Sequence, residues 1–208
     1  MSERPNILLI IADDHRFNAV RAFGDPIVRT PVLDRLAGDG AAFRKAHMMG
    51  GTLAAVCVPS RACLLTGANV FRASCSREVN DDENVRILDP DLALLPEVFR
   101  QAGYRTFATG KWHNDKQSFA RVFCSGGPIF FGGMSDHLKV PVHDFDPEGI
   151  YPDEGIYTGE KFSTELFTDA AVGFVEEYNE HEPFFHYLAF TSPHEPRMAP
   201  DEYADMYD

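Results

Sequence analysis

The chain has 208 residues, a formal net charge of -13 at pH 7 and 44% hydrophobic residues. This length and apolar content suffice for one domain with a real core and exclude general disorder. The acidic balance, without a stripe of arginine and lysine, argues against binding nucleic acid through a basic surface. No secretory signal and no stretch of membrane-spanning length is visible, so the default expectation is a cytoplasmic protein with no membrane partner. A signal already removed would leave the same pattern in a periplasmic or secreted protein.

The first predicted element is an almost wholly apolar run from Asn6 to Ala12, rich in β-branched residues. It predicts a strand buried on both faces of a parallel sheet. Asp13, Asp14 and His15 follow directly. Carboxylates after a central strand lie at the carboxyl edge of the sheet, where open α/β folds bind ligands, and an adjacent pair suits a hard divalent cation such as calcium. A polar turn that merely closes the strand is the competing interpretation.

The next two segments are predicted to be structural. Thr30 to Ala37 predicts an amphipathic helix, and Ala41 to His47 a second strand or extended segment. Gly50 and Gly51 then lead into a cysteine-containing run.

That run, CVPSRACLLTG, extends from Cys57 to Gly67. Pro59 is favoured at a first helical position and Gly67 just past a helix end, so a short helix with Cys57 at its N-terminus is predicted. Unpaired backbone N–H groups at such an end, with Arg61 one turn further on, would attract a sulfate or phosphate ester. A buried, inert cysteine is the competing interpretation. The four cysteines of the chain show neither zinc-like nor disulfide-framework spacing.

A helix from Leu94 to Ala102 and a strand from Tyr104 to Thr109 come next, and the strand leads into Gly-Lys-Trp-His. In extended backbone, residues i and i+2 point to the same side. Lys111 and His113 are therefore predicted to face an anion together, while Trp112 packs away from it.

Residues 114–160 contain glycines, prolines and aromatics with little periodicity, which predicts a long loop region on the side of the active site. His137, His143, Asp144 and Asp146 in this region could suggest a metal cluster. We interpret them instead as solvated loop residues.

The last two predicted elements are a helix from Ser163 to Asn179 and a hydrophobic strand from Pro183 to Phe190. The strand leads through Thr191-Ser192-Pro193 to His194. An unpaired surface histidine is the competing interpretation of this residue.

Taken in order from Asn6 to Pro196, these motifs resemble those of the type I, formylglycine-dependent sulfatases of the alkaline phosphatase-like superfamily. The resemblance rests on the run from Cys57 to Gly67, on the Asp-Asp pair, on Gly-Lys-Trp-His and on Pro-His-x-Pro. It implies an α/β sandwich with a central, mostly parallel sheet flanked by helices. Members of the family are usually longer, so residues 1–208 are expected to be the N-terminal portion of a catalytic domain that is incomplete at its C-terminal end.

The resemblance also implies roles for individual residues. Cys57 is the precursor of the formylglycine nucleophile. Lys111 holds the sulfate and the aldehyde hydrate, His113 helps the intermediate collapse, and His194 protonates the leaving alcohol. The fixed charge of Arg61 completes the expected catalytic group. The implied metal is Ca²⁺, with Mg²⁺ as the alternative, and its implied ligands are Asp13, Asp14 and the modified Cys57.

The implied activity is hydrolysis of a sulfate ester, on a sulfated carbohydrate or on an aryl or alkyl sulfate. A formylglycine-generating or sulfatase-maturating enzyme is the implied partner. Two alternatives stay open at this point: a phosphonate or phosphodiester hydrolase of the same superfamily, and a truncated relative without catalysis.

Overall fold

The structure, a computed structural model, describes residues 4–51, 56–75 and 87–207. Its longer strands are β1 (Ile7–Ile11), β4 (Arg105–Lys111), β5 (Ser125–Phe130) and β8 (Phe184–Ala189). Its short strands are β2 (Ser74–Cys75), β3 (Ile87–Leu88), β6 (Pro141–Val142) and β7 (Tyr157–Thr158). Its α-helices are α1 (Pro31–Asp39), α2 (Cys57–Thr66), α3 (Leu95–Gln101), α4 (Lys116–Val122), α5 (Ser163–Glu177) and α6 (Asp201–Ala204). Every helix in these ranges is too short or too polar to cross a membrane.

A four-stranded sheet in the order β1-β8-β4-β5 forms the centre of the fold, and all its neighbouring strands are parallel. Ile11 and Gly110 both pair with Ala189, so three strands end at the same level. In a parallel sheet the carboxyl ends share one edge, which is where ligands bind in open α/β folds. The predicted α/β class with a parallel central sheet is confirmed.

The core lies on both faces of the central strand β8, whose six residues are all buried. On one face Phe185 and Tyr187 pack against aromatic residues that include Trp112 and Phe119. On the other face Leu188 packs in a second cluster beneath α5. Each large apolar side chain buried in this way contributes roughly 1.5–3 kcal/mol, so the strand that carries most of the packing also supports the edge at which the site lies.

The prediction that β1 is buried on both faces was wrong. Ile7, Leu9 and Ile11 pack against the core, whereas Leu8 and Ile10 are 49% and 51% exposed. The physical reason is that Leu8 and Ile10 share the face of His186 and Leu188, and α5, which covers this face, packs on β8, β4 and β5 rather than on β1. A continuous apolar run does not by itself show whether both faces are covered.

The prediction of a long loop over residues 114–160 was wrong for part of its length, because this region contains α4 and β5. Asp115 caps α4 by accepting a hydrogen bond from the Ser118 N–H at 2.7 Å. Strand β5 has the sequence SGGPIF, and its glycines and proline give a weak strand signal; such residues occur mainly in edge strands. Residues 41–47 are irregular, so of the two alternatives predicted there, a strand or an extended segment, the strand is not formed.

Candidate active site

The residues singled out by the sequence meet at the carboxyl edge of the sheet. Asp13 and Asp14 follow β1, and His194 follows β8. These three line one pocket of about 410 Å³ together with Cys57 and Arg61 from α2. Five of the seven sequence-predicted site residues are thus brought together from three separate elements, whereas Lys111 and His113 do not line this pocket.

Cys57 is the first residue of α2, and it is half-buried with a free thiol. The helix starts two residues earlier than an N1 proline would have placed it, because Pro59 lies within the first turn. It ends as predicted at Gly67, whose φ of 65° is left-handed. The first N–H groups of a helix have no partner within it, so an anion at Cys57 would meet both these donors and the positive end of the helix dipole.

A buried charge cluster lies beside the cysteine. The Asp13 carboxylate accepts from Lys111 Nζ at 2.5 Å and lies 3.4 Å from Arg61 Nη2. The exposed fractions of Asp13, Arg61 and Lys111 are 4%, 3% and 0%. Burial lowers the pKa of the Lys111 ammonium, and Asp13 opposes that shift. Two cations against one carboxylate leave an excess of positive charge in this part of the site.

Arg61 also holds its own helix against the sheet. Its Nη1 donates to the backbone oxygen of Lys111 at 2.6 Å and to the Tyr187 hydroxyl at 3.0 Å. Tyr187 was missed by the sequence reasoning, because an aromatic residue inside a hydrophobic strand gives no sign that its hydroxyl faces a charge. The guanidinium therefore fixes Cys57, one turn earlier, relative to β4 and β8.

His113 is 2% exposed, and neither of its ring nitrogens has a partner among the described residues. Burial lowers its pKa to about 3, and the positive charges of Lys111 and Arg61 act in the same direction, as does His194. The backbone at His113 is left-handed, with φ of 55°, as it is at Asp14 with φ of 57°. Such backbone costs on the order of 1 kcal/mol or more and concentrates at functional sites.

Gly133 is a second residue that the sequence reasoning did not single out on its own. Its backbone oxygen accepts from the Lys111 ammonium. A Cβ at this position would lie 2.7 Å from His113 Nε2. The glycine therefore lets the chain cover Lys111 and His113 closely, and Trp112 packs away from them into the core, as predicted.

His194 and Asp14 form the more open side of the pocket, since Asp14 is exposed and His194 is half-buried. His194 Nδ1 lies 3.0 Å from the Glu195 backbone oxygen. A carbonyl oxygen only accepts, so this contact assigns the proton to Nδ1 and leaves Nε2 free.

The loop residues that were expected to be solvated fall into two groups. Asp144 is exposed and Asp146 is half-buried, but His137 and His143 are 2% and 6% exposed, so the prediction was wrong for both histidines. His143 packs against the rings of Phe131 and Tyr151. Over residues 4–51, 56–75 and 87–207, no group of three or more His, Cys, Asp and Glu residues is placed to hold a metal ion.

The profile of the Sulfatase family matches residues 5–208. Human N-acetylgalactosamine-6-sulfatase is 31% identical over 94% of this chain, and N-acetylglucosamine-6-O-sulfatase of Bacteroides thetaiotaomicron is 30% identical over 93%. The chain spans only 40% and 31% of the lengths of these two relatives.

Solved structures agree in fold. A protein in complex with its substrate D-glucosamine-2-N,6-O-disulfate is 26% identical, with a TM-score of 0.75 over 97% of this chain and 37% of that one. The phosphonate monoester hydrolase of Agrobacterium radiobacter, at 23% identity and a TM-score of 0.66 over 98% of this chain and 44% of that one, shares the fold. The chain is therefore a member of the sulfatase family, with the alkaline phosphatase-like fold.

Proposed function

We propose that the protein is a sulfuric ester hydrolase whose nucleophile is a formylglycine made from Cys57. The observation that carries this proposal is the position of Cys57, at the N-terminus of α2 and in the same pocket as Asp13, Arg61 and His194. A helix N-terminus with an excess of fixed positive charge suits an ester that carries negative charge. A sulfatase-maturating enzyme is the partner that this modification requires.

The roles proposed for the side chains follow from their charge and protonation. Formylglycine, once formed and hydrated, would supply two hydroxyls on one carbon: one to attack sulfur, and a second whose loss of a proton would re-form the aldehyde as sulfate leaves. Lys111 and Arg61 supply positive charge that does not reorganise, because both are buried and anchored. Preorganised charge of this kind is usually the largest contribution to catalysis.

The two histidines move protons. In its doubly protonated form His194 donates the Nε2 proton to the oxygen of the leaving alcohol, while its Nδ1–H keeps the contact with Glu195 that orients the ring. His113 is neutral at pH 7, because its pKa is lowered to about 3, and it accepts the proton released when sulfate is expelled. Lys111 and Arg61 contribute to that lowering, so a bound anion would offset their effect and make His113 a stronger base.

A hard divalent cation, Ca²⁺ with Mg²⁺ as the alternative, is proposed beside Asp13, Asp14 and the modified Cys57. Carboxylate oxygens are the correct donors, and both aspartates line the pocket. Calcium takes six to eight oxygens, so these residues are one part of a full ligand set. When bound, the cation would add positive charge opposite the ester oxygens.

The proposed substrate is a sulfated carbohydrate. Both relatives described above are named for sulfated amino sugars. A second pocket of about 410 Å³ adjoins the first and shares Asp14 and His15 with it, and Arg16 and Arg197 also line it. These arginines would suit a further anionic group on the sugar. The cytoplasmic location expected from the sequence stays a prediction, and the names of the relatives do not support it.

The test begins with the intact mass of the full-length protein from its natural host, which reports whether Cys57 is converted to formylglycine. Cys57→Ala should then lower kcat/KM for a sulfate ester at least about 10³-fold, because the nucleophile is lost. Cys63→Ala, in the same helix, is the matched control and should retain activity. Undiminished hydrolysis by Cys57→Ala would overturn the nucleophile assignment, and faster turnover of a matched phosphate ester by the wild-type protein would redirect the proposal to phosphorus.

A further inference from the structure

His137 lies in the segment after β5, outside the pocket, and is 2% exposed. Its ring joins three parts of the chain. One nitrogen, Nδ1, lies 2.8 Å from the Ser163 hydroxyl at the start of α5 and 3.2 Å from the Thr191 hydroxyl. The other, Nε2, lies 3.0 Å from the backbone oxygen of His194.

The direction of these hydrogen bonds follows from the groups involved. The His194 backbone oxygen can only accept, so His137 Nε2 carries the proton and donates it. Nδ1 of a neutral ring must then accept, and Ser163 is the closest donor. Thr191 in turn donates to Ser163 at 2.8 Å. Every group in this buried chain has a partner, which is the condition under which a polar network makes a core rigid.

The segment that His137 holds extends from Thr191 to His194. It contains the His194 ring and also contacts the backbone of Asp13. His194 N–H donates to Thr191 O at 3.1 Å, closing a tight turn whose ends both contact His137. Within this turn, Ser192 O accepts from the Asp13 N–H at 3.0 Å. His194 itself is half-buried, and its only described side-chain hydrogen bond is to the neighbouring Glu195. The position of the His194 ring therefore depends strongly on the hydrogen bond from His137 Nε2 to the His194 backbone oxygen.

We propose that His137 is a positioning residue for His194: its Nε2–H holds the His194 backbone so that the imidazole meets the leaving oxygen. This rests on the proposed function, since it assumes that His194 protonates the leaving group. A misplacement of about 1 Å in a catalytic group can cost on the order of 100-fold in rate. The cost falls on substrates that need the proton.

The experiment compares His137→Asn with His137→Gln in the matured, full-length protein. The Gln amide can reach the position of Nε2 and donate to the His194 oxygen, whereas the shorter Asn amide reaches only the position of Nδ1. His137→Asn should lower kcat/KM for an unactivated alkyl sulfate about 10- to 100-fold and for an activated aryl sulfate only about 2- to 3-fold. His137→Gln should restore most of the loss on the alkyl sulfate.

Two further variants separate positioning from stability. His186→Asn changes another buried histidine, on β8 beneath α5, and should destabilise the protein without changing the ratio of the two rates. In a His194→Ala background, His137→Asn should cause no additional loss on the alkyl sulfate. If His137→Asn does not fold, Ser163→Ala should show the same selective loss in smaller degree, because it removes the donor to Nδ1.

The outcomes distinguish the two proposals. If the matured wild-type protein hydrolyses neither ester, the proposed function is overturned and the role of His137 with it. If the wild type is active but His137→Asn loses both rates equally, or Gln fails to restore the alkyl rate, His137 has a structural role only and the inference is overturned.

Discussion

Two buried histidines of this protein have no hydrogen-bonding partner among the described residues, and the regions around them differ sharply. His113 follows β4 at the carboxyl edge of the sheet. His186 lies in the middle of β8 beneath α5, edge-on to the stacked rings of Phe107 and Phe174 at centroid distances of 4.8 and 5.1 Å. Burial alone lowers the pKa of His186 to about 4. At His113, the charges of Lys111 and Arg61 add to burial.

The comparison shows that an unpaired buried histidine does not by itself identify a site. What distinguishes the carboxyl edge is an excess of buried positive charge, because Lys111 and Arg61 are both buried there against the single carboxylate of Asp13. Buried ions cost several kcal/mol each unless they are paired. At the edge two cations share this one carboxylate, whereas the aromatic rings that contact His186 carry no charge. We therefore expect changes at the edge to alter both stability and activity, and changes at His186 to alter stability alone.

The largest effect should come from Asp13→Asn. The substitution leaves Lys111 and Arg61 buried without their carboxylate, and breaking a buried pair in this way costs about 3–5 kcal/mol. The free energy of unfolding, measured by denaturant titration with a chelator present, should fall by this amount. Hydrolysis of a sulfate ester should be lost as well.

Asp14→Asn is the matched control, because Asp14 is the adjacent carboxylate but is exposed. Its stability in chelator should change by less than about 0.5 kcal/mol. Added Ca²⁺ should raise the unfolding temperature of the wild type and of neither variant, since a ligand that binds only the native state stabilises it. Equal losses of stability in the two variants would show that the buried cluster is not held by Asp13.

A smaller effect is expected for Gly133→Ala. The added methyl would lie 2.7 Å from His113 Nε2, so the histidine or the covering segment must move. Such overpacking costs about 1–3 kcal/mol, and kcat/KM should fall about 10-fold because Lys111 and His113 share this cover.

Gly173→Ala in α5 is the control for the same substitution in open space, where a Cβ meets nothing within 4 Å. It should stabilise the helix by about 0.5–1 kcal/mol and leave activity unchanged. If Gly133→Ala behaved like Gly173→Ala, the close approach of this segment to His113 would be refuted.

Three of the four strands of the central sheet, β1, β4 and β8, were predictable because apolar runs and flanking turn residues mark strands directly. Strands 105–111 and 184–189 lie where Tyr104 to Thr109 and Pro183 to Phe190 predicted them. The meeting of Cys57, Lys111 and His194 was predictable from the family's motifs and from the rule that parallel strands share a carboxyl edge.

What could not be predicted depends on contacts distant in sequence. The hydroxyl of Tyr187, the carbonyl of Gly133 and the ring of His137 act through partners between 22 and 126 positions away. No local pattern encodes such pairings. Strand β5 was missed for a different reason, since its glycines and proline give the signal of a loop.

The most confined effect, limited to the pH dependence of stability, is that of His186→Phe, and it is the sharpest test of the contrast between the two histidines. In the folded protein the His186 pKa is lowered to about 4, whereas in the unfolded chain it is near 6.5. Between these values the unfolded state binds the extra proton, so stability falls as the pH drops through this window. From pH 7 to pH 5 the contribution of His186 to this fall is about 2 kcal/mol.

His186→Phe removes this contribution, while His113 contributes equally in both proteins. The variant should therefore lose about 2 kcal/mol less than the wild type over this range in denaturant titrations, with sulfate ester hydrolysis at pH 7 unchanged. An identical pH dependence in the two proteins would mean that His186 is not held neutral by burial, and an accompanying loss of activity would mean that the aromatic region is coupled to the carboxyl edge after all.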